Sequence, residues 1–208
     1  MGIQNRRERE RSERHRLIVR TARELAETEG WDSVTVRKLA DRIEYSQPVL
    51  YSHFAGKRAI VTAVALDGIT ELAESLHRAR TTAPDEPAAL AAVARAYTDF
   101  AAENPALYDA MFVLPTDLTF GDGAPEPLRN AFTELVTTFA PFAAKTDVET
   151  LTETIWSTLH GLATLERNNR LRPGRRAQRL AILQNWLATT AARQRTSWPQ
   201  LPAPDLEK

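Results

Sequence analysis

Between residues 33 and 58 the chain reads SVTVRKLADRIEYSQPVLYSHFAGKR, a stretch rich in side chains that hydrogen-bond rather than react. Thr35 precedes Val36, Leu39, Ala40 and Ile43 at helical spacing, so it can cap a short helix with those four turned inward. Ser46 can cap another. Pro48 then falls in its first turn, where a missing N–H costs little. This second helix offers Tyr51, Ser52 and His53 outward, while Val49, Leu50 and Phe54 can pack inward. Two short helices about a tight turn have the spacing of a helix-turn-helix. The first turn of the second helix, with Ser46 and Gln47, is the part that reaches base edges in a major groove. Polar side chains there can hydrogen-bond bases, and a helix N-terminus attracts phosphate.

Reactive chemistry has far less to work with. There is no Cys, which excludes disulfides, thiolate metal sites and Cys nucleophiles. The four His (15, 53, 77 and 160) are scattered. Glu74-Ser-Leu-His77 has the Glu-x-x-His spacing of di-iron bundles, but such sites need a second copy and further carboxylates. There is no P-loop and no G-x-G-x-x-G. We therefore expect no catalytic residues, no metal site and no cofactor.

Charge is distributed unevenly. The chain of 208 residues is neutral overall, yet residues 1–58 hold 13 Lys+Arg against 9 Asp+Glu, and the remainder carries the compensating −4. The first twenty residues alone hold seven Arg (6, 7, 9, 11, 14, 16 and 20) and three Glu. A basic head on an acidic body suits an anionic partner for the head, or else a solvated arm that binds nothing. The charged N-terminus is unlike a secretory signal, and no apolar run is long enough to span a bilayer. A soluble cytoplasmic protein that does not contact membranes is the expectation.

The elements that must position these residues all read as helix. Ile18, Thr21, Ala22, Leu25 and Ala26 share one helical face, which Gly30 ends. A long helix runs from Lys57 to about Thr81. Further helices cover 88–103, 105–114, 126–143, 148–170 and 175–195, separated by Pro, Gly and Asp-rich breaks. The fold class is all-α. The expected organisation is a basic head at 1–58 carrying the two short helices, a helical body at 59–195 and a Pro-rich tail at 196–208.

From about His15 to Ala65 the chain resembles the N-terminal domain of the TetR family of transcriptional regulators. The resemblance rests on Gly30-Trp31, Thr35-Val36-Arg37-Lys38-Leu39-Ala40, Leu50-Tyr51-Ser52-His53-Phe54 and Lys57. It implies that Thr35, Tyr51 and Lys57 contact phosphates, that Gln47 and Pro48 face bases, and that His53 lies close to the backbone. Ser46 and Arg37 complete the expected DNA-binding set. The turn departs from the family: Glu44 and Tyr45 stand where a Gly and a small or apolar residue are usual. A Glu at φ > 0 costs roughly 1 kcal/mol, and we expect Tyr45 to pack partly between the two helices.

Trp156-Ser-Thr-Leu-His160-Gly161, with Glu103-Asn104-Pro105, Tyr108 and Met111-Phe112 upstream, is similar to one subgroup of TetR ligand domains. Tyr97, Phe100, Tyr108, Met111, Phe112, Trp156 and His160 are then a candidate ligand wall, mostly apolar and without paired cations. That composition suits a neutral aromatic or lipophilic effector. Packing of the same residues as plain core is the alternative. Leu151, Ile155, Leu159 and Leu162 form one stripe, and Leu180, Leu183 and Leu187 another, with Ile182 and Trp186 on a second face. A helix apolar on two sides needs two neighbours; the resemblance implies a homodimer through the last two long helices. The expected function is operator-DNA binding as a repressor released by a small effector. The competing readings are a helical-bundle enzyme with a basic arm and a ligand-free architectural DNA-binding protein.

Overall fold

A computed structural model describes residues 2–196, and among them nine α-helices and no strand. The helices are α1 (Gly2–Glu29), α2 (Val36–Arg42), α3 (Gln47–His53), α4 (Lys57–Thr81), α5 (Glu86–Glu103), α6 (Pro105–Phe112), α7 (Glu126–Phe139), α8 (Val148–Arg167) and α9 (Arg176–Thr196). The all-α class expected from the sequence is the class observed. The Pro-rich tail lies outside the described residues beyond Thr196, where α9 ends.

The N-terminal segment is not an extended arm. It continues α1 without a break from Gly2 to Glu29. Neither Pro nor Gly occurs between residues 3 and 29. Arg and Glu are good helix formers, and the pairs Arg6–Glu10, Arg14–Glu10 and Arg20–Glu24 add i,i+4 support. Periodicity of apolar residues cannot see a helix whose first four turns have no apolar face to repeat.

The chain forms two compact units, one of residues up to 77 with 97–134 and the other of residues 78–96 with 135 onward. In the first unit, Ile18, Ala22 and Leu25 of α1 are fully buried with Val34, Leu39, Val64 and Leu76. Each of these Val, Leu and Ile side chains contributes roughly 1.5–3 kcal/mol by leaving water. Polar ties join α1 to α6. Glu27 accepts the backbone N–H groups of Ala106 (3.1 Å) and Leu107 (3.0 Å), two of the donors that a helix start leaves unpaired. The Trp31 indole donates to the Ala106 carbonyl at 2.7 Å, and Arg23 donates to Asn104 Oδ1 at 3.0 Å. Helices α4 and α6 approach so closely at Gly68 that a Cβ there would stand 2.6 Å from Leu107 Cδ1 and 2.9 Å from Met111 Sδ.

In the second unit Leu90, Phe139, Ile155 and Leu159 are buried together with Leu180, Leu183 and Leu187 of α9. Asp147 caps α8 by accepting the Thr150 N–H at 2.8 Å. The α9 stripe and the middle of the α8 stripe, Ile155 and Leu159, are therefore buried within the chain, while Leu151 and Leu162 at the ends of the α8 stripe are half-buried. The second face of α9 is not buried: Ile182 is 70% exposed and Trp186 53%.

Candidate nucleic-acid interface

Thr35 caps α2 as its sequence position suggests, its Oγ1 accepting the Lys38 N–H at 3.1 Å. Leu39 and Ala40 are buried, while Val36 and Ile43 are only half-buried. The turn that follows takes Glu44 to φ 58, the left-handed conformation that a Gly would adopt at less cost. Tyr45 is 37% exposed and returns its N–H to the Ala40 carbonyl at 3.0 Å, which closes the turn.

Ser46 is the N-cap of α3, although its hydroxyl makes no capping bond. Gln47 opens α3 and Pro48 follows, both exposed. Leu50 (1% exposed) and Phe54 (6%) anchor the helix from below. That anchoring leaves Tyr51 56% exposed on the opposite side, with Ser52 exposed beside it. Five of the expected DNA-binding residues, Ser46, Gln47, Pro48, Tyr51 and His53, thus stand on or at the cap of one short helix whose first turn is open to solvent.

The other three stand around it. Thr35 and Arg37 are exposed at the start of α2. Lys57 opens α4, and its ammonium donates to the Trp31 carbonyl. His53 is half-buried at the end of α3. Burial first, then the neighbouring cations Arg11, His15 and Arg14, hold its imidazole below the ordinary histidine value.

The sequence marked the N-terminal arginines as a basic head, but it did not place two groups beside this helix. His15 of α1 stacks on Phe54, with ring centroids 4.5 Å apart. Arg7, Glu10, Arg11 and Arg14 of α1 line a cleft with Ser52 and His53. Their signal was present as arginines spaced three and four apart, but it is legible only once the segment is known to be helical.

The candidate ligand residues divide between the units. In the first, Tyr97 and Tyr108 are fully buried and join hydroxyl to hydroxyl at 2.9 Å, with rings edge-on at 85°. Phe100 and Met111 are buried, and Phe112 is half-buried against Tyr108 at 4.8 Å. In the second, Trp156 and His160 are half-buried one helical turn apart on α8. Burial, then Arg167, holds His160 below the ordinary histidine value, and its Nε2 lies 3.5 Å from Thr164 Oγ1. His77 of the Glu-x-x-His spacing meets the Glu134 carboxylate at 2.9 Å. Among the described residues no three His, Asp or Glu converge as a metal site, and no helix is long and apolar enough to cross a membrane.

A short helix presenting its polar first turn, braced by a second across a tight turn, defines a helix-turn-helix protein. Residues 18–64 match the family described as bacterial regulatory proteins, tetR family, and residues 90–186 match the tetracyclin repressor-like C-terminal domain. The chain belongs to the tetR family of bacterial regulators. It is similar to YobS of Bacillus subtilis, an uncharacterised HTH-type transcriptional regulator, at 36% identity over 46% of this chain. The match spans 49% of that relative, so the chain covers about half the length of the curated relative it resembles. Among solved structures, a protein of unknown function from Rhodococcus sp. RHA1 superposes with a TM-score of 0.69 at 23% identity, covering 83% of this chain and 92% of that one. A single-residue variant of TetR from Acinetobacter baumannii AYE, in complex with minocycline, shares the fold with a TM-score of 0.57 at 22% identity, over 88% and 97% of the two chains.

Proposed function

We propose that this chain is a sequence-specific DNA-binding repressor that works as a homodimer and leaves its operator when a small molecule binds. It acts on DNA in the cytoplasm and carries out no enzymatic reaction. One observation carries the DNA-binding part: the first turn of α3, with Gln47 and Pro48, is exposed while Leu50 and Phe54 fix the helix beneath it. In this reading residues 1–58 form the head, Gln47 reads a base edge, and Thr35, Arg37, Tyr51 and Lys57 hold phosphates, with Ser46 and His53 at the two ends of α3. Residues 59–195 form the sensing and dimerising body.

The effector part rests on the tetracyclin repressor-like match over residues 90–186 and on the chemistry of the candidate wall. In the first unit Tyr97 and Tyr108 supply hydroxyls in an otherwise apolar setting of Phe100, Met111 and Phe112; Trp156 and His160, an aromatic face and an imidazole, belong to the second unit and are proposed separately as effector contacts. Such a lining suits a neutral aromatic or lipophilic molecule. An anion buried there without a cation would cost several kcal/mol. Because the two tyrosines are fully buried against each other, an effector would have to part them. The dimer part rests on the exposed face of α9.

Binding of the full chain to fragments of the DNA upstream of its own coding region, against scrambled fragments, tests the function. Selective binding of one fragment at nanomolar concentration is expected. Gln47→Ala should then cost roughly 1–3 kcal/mol on that fragment and little on scrambled DNA. Equal binding to all fragments would instead make it an architectural DNA-binding protein.

A further inference from the structure

Successive residues of a helix turn by about 100°, which places Arg7, Arg11 and Arg14 on the same face of α1 as the fully buried Ile18 and Leu25. The stripe that packs the head therefore continues toward the N-terminus as arginine. These three, with Glu10, Ser52 and His53, line a concave cleft of about 340 Å³ between the extension of α1 and the end of α3. Glu10 is already engaged, by Arg6 at 2.9 Å and Arg14 at 3.6 Å. Ser52 spends its hydroxyl proton on the Val49 carbonyl at 2.6 Å. Arg7 and Arg11 form no ion pair among the described residues. The donors left to a ligand are guanidinium groups and the His53 imidazole. Arg6, Arg9 and Arg16 fall on other faces of the helix, whereas these three converge on one concavity.

We propose that this cleft seats a backbone phosphate of the duplex, beside the groove that α3 enters, so that the extension of α1 is a second DNA-binding element. The inference rests on the DNA-binding reading above. A free phosphate-bearing molecule shares the recognition chemistry, but two features favour a polymer. The cleft is built partly from the recognition helix itself, through Ser52 and His53. Arg6, Arg9 and Arg16 lie exposed on other faces of the same extension, so its positive charge is not confined to a closed pocket. From Arg7 to Arg14 the helix rises about 10 Å, about three base pairs of duplex.

The test uses the full chain and its Arg7→Ala/Arg11→Ala variant, which keeps two good helix formers in an exposed helix. The probes are a duplex selected by the full chain from a random-sequence pool and a long mixed-sequence duplex. Loss of one phosphate contact in each half of the proposed homodimer should lower the slope of log K against log salt by about 1.8. At about 0.15 M salt the affinity should fall on the order of 30-fold for both duplexes, with the preference between them unchanged. Trimming the selected duplex to the base pairs that α3 covers should remove the difference between variant and parent. An unchanged slope, while the parent still prefers the selected duplex, overturns this inference and leaves the DNA-binding reading intact. Micromolar pyrophosphate shifting the His53 imidazole resonance with no change of slope assigns the cleft to a free anion and also overturns it. A parent chain that prefers no duplex overturns both.

Discussion

Lys57 stands at the first position of α4 with its ammonium on the Trp31 carbonyl, and an ammonium has three protons to give. One can tie the end of α1 to the start of α4 while another meets a phosphate. Lys57→Ala should therefore weaken specific and non-specific DNA alike, and also cost about 0.5–1.5 kcal/mol of stability. Tyr51→Phe separates the two effects. Its hydroxyl is exposed, so binding should weaken on both kinds of DNA while the urea midpoint stays put. A Tyr51→Phe chain with parental affinity would remove Tyr51 from the interface. At this scale the sequence was highly informative. The Thr35 cap, the Pro48 turn and the strained Glu44 all follow from local chemistry, because each depends on neighbours only a few residues away.

Helix α6 has only eight residues, too few to be stable alone, and it begins with a Pro. Its first N–H groups are held by Glu27, nearly eighty residues earlier in the chain. Glu27→Ala should cost about 1–2 kcal/mol, read as a lower urea midpoint at unchanged slope, with Glu27→Gln losing less because one acceptor oxygen remains. Equal midpoints for Glu27→Ala and the parent would show that water satisfies these donors as well. No sequence pattern announced this tie, nor the Trp31 indole on Ala106. Both join residues far apart in the chain, and neither residue type is unusual where it stands. The helical nature of the basic segment was hidden for a different reason. Its support is charge pairing and intrinsic propensity, which leave no apolar period to read.

For the whole molecule, the division of α9 into two faces is the informative feature. Leu180, Leu183 and Leu187 are spent inside the subunit, while Ile182 and Trp186 are left in water. Replacing both with Glu should halve the mass measured by sedimentation and leave helicity unchanged, since neither side chain supports its own subunit. Affinity for a two-half-site operator should fall steeply, because the second head is no longer tethered. A dimer that survives both substitutions would put the interface elsewhere. The sequence had already shown two apolar faces on this helix, but which one turned inward depended on its neighbours in space.

Gly68 lets α4 and α6 touch where even a methyl group has no room. A single added carbon would press on the fully buried Leu107 and on Met111, a member of the candidate effector wall. Gly68→Ala is thus a covalent stand-in for an inducer, written into the gene instead of added to the medium. Overpacking of this kind costs about 1–3 kcal/mol, so the chain should still fold, with the strain relieved by spreading the two helices. Operator affinity, measured well below the melting transition, should fall with no effector present and with every residue of α3 intact. A folded Gly68→Ala chain that grips its operator as before would mean that the spacing of α4 and α6 carries no message to the DNA.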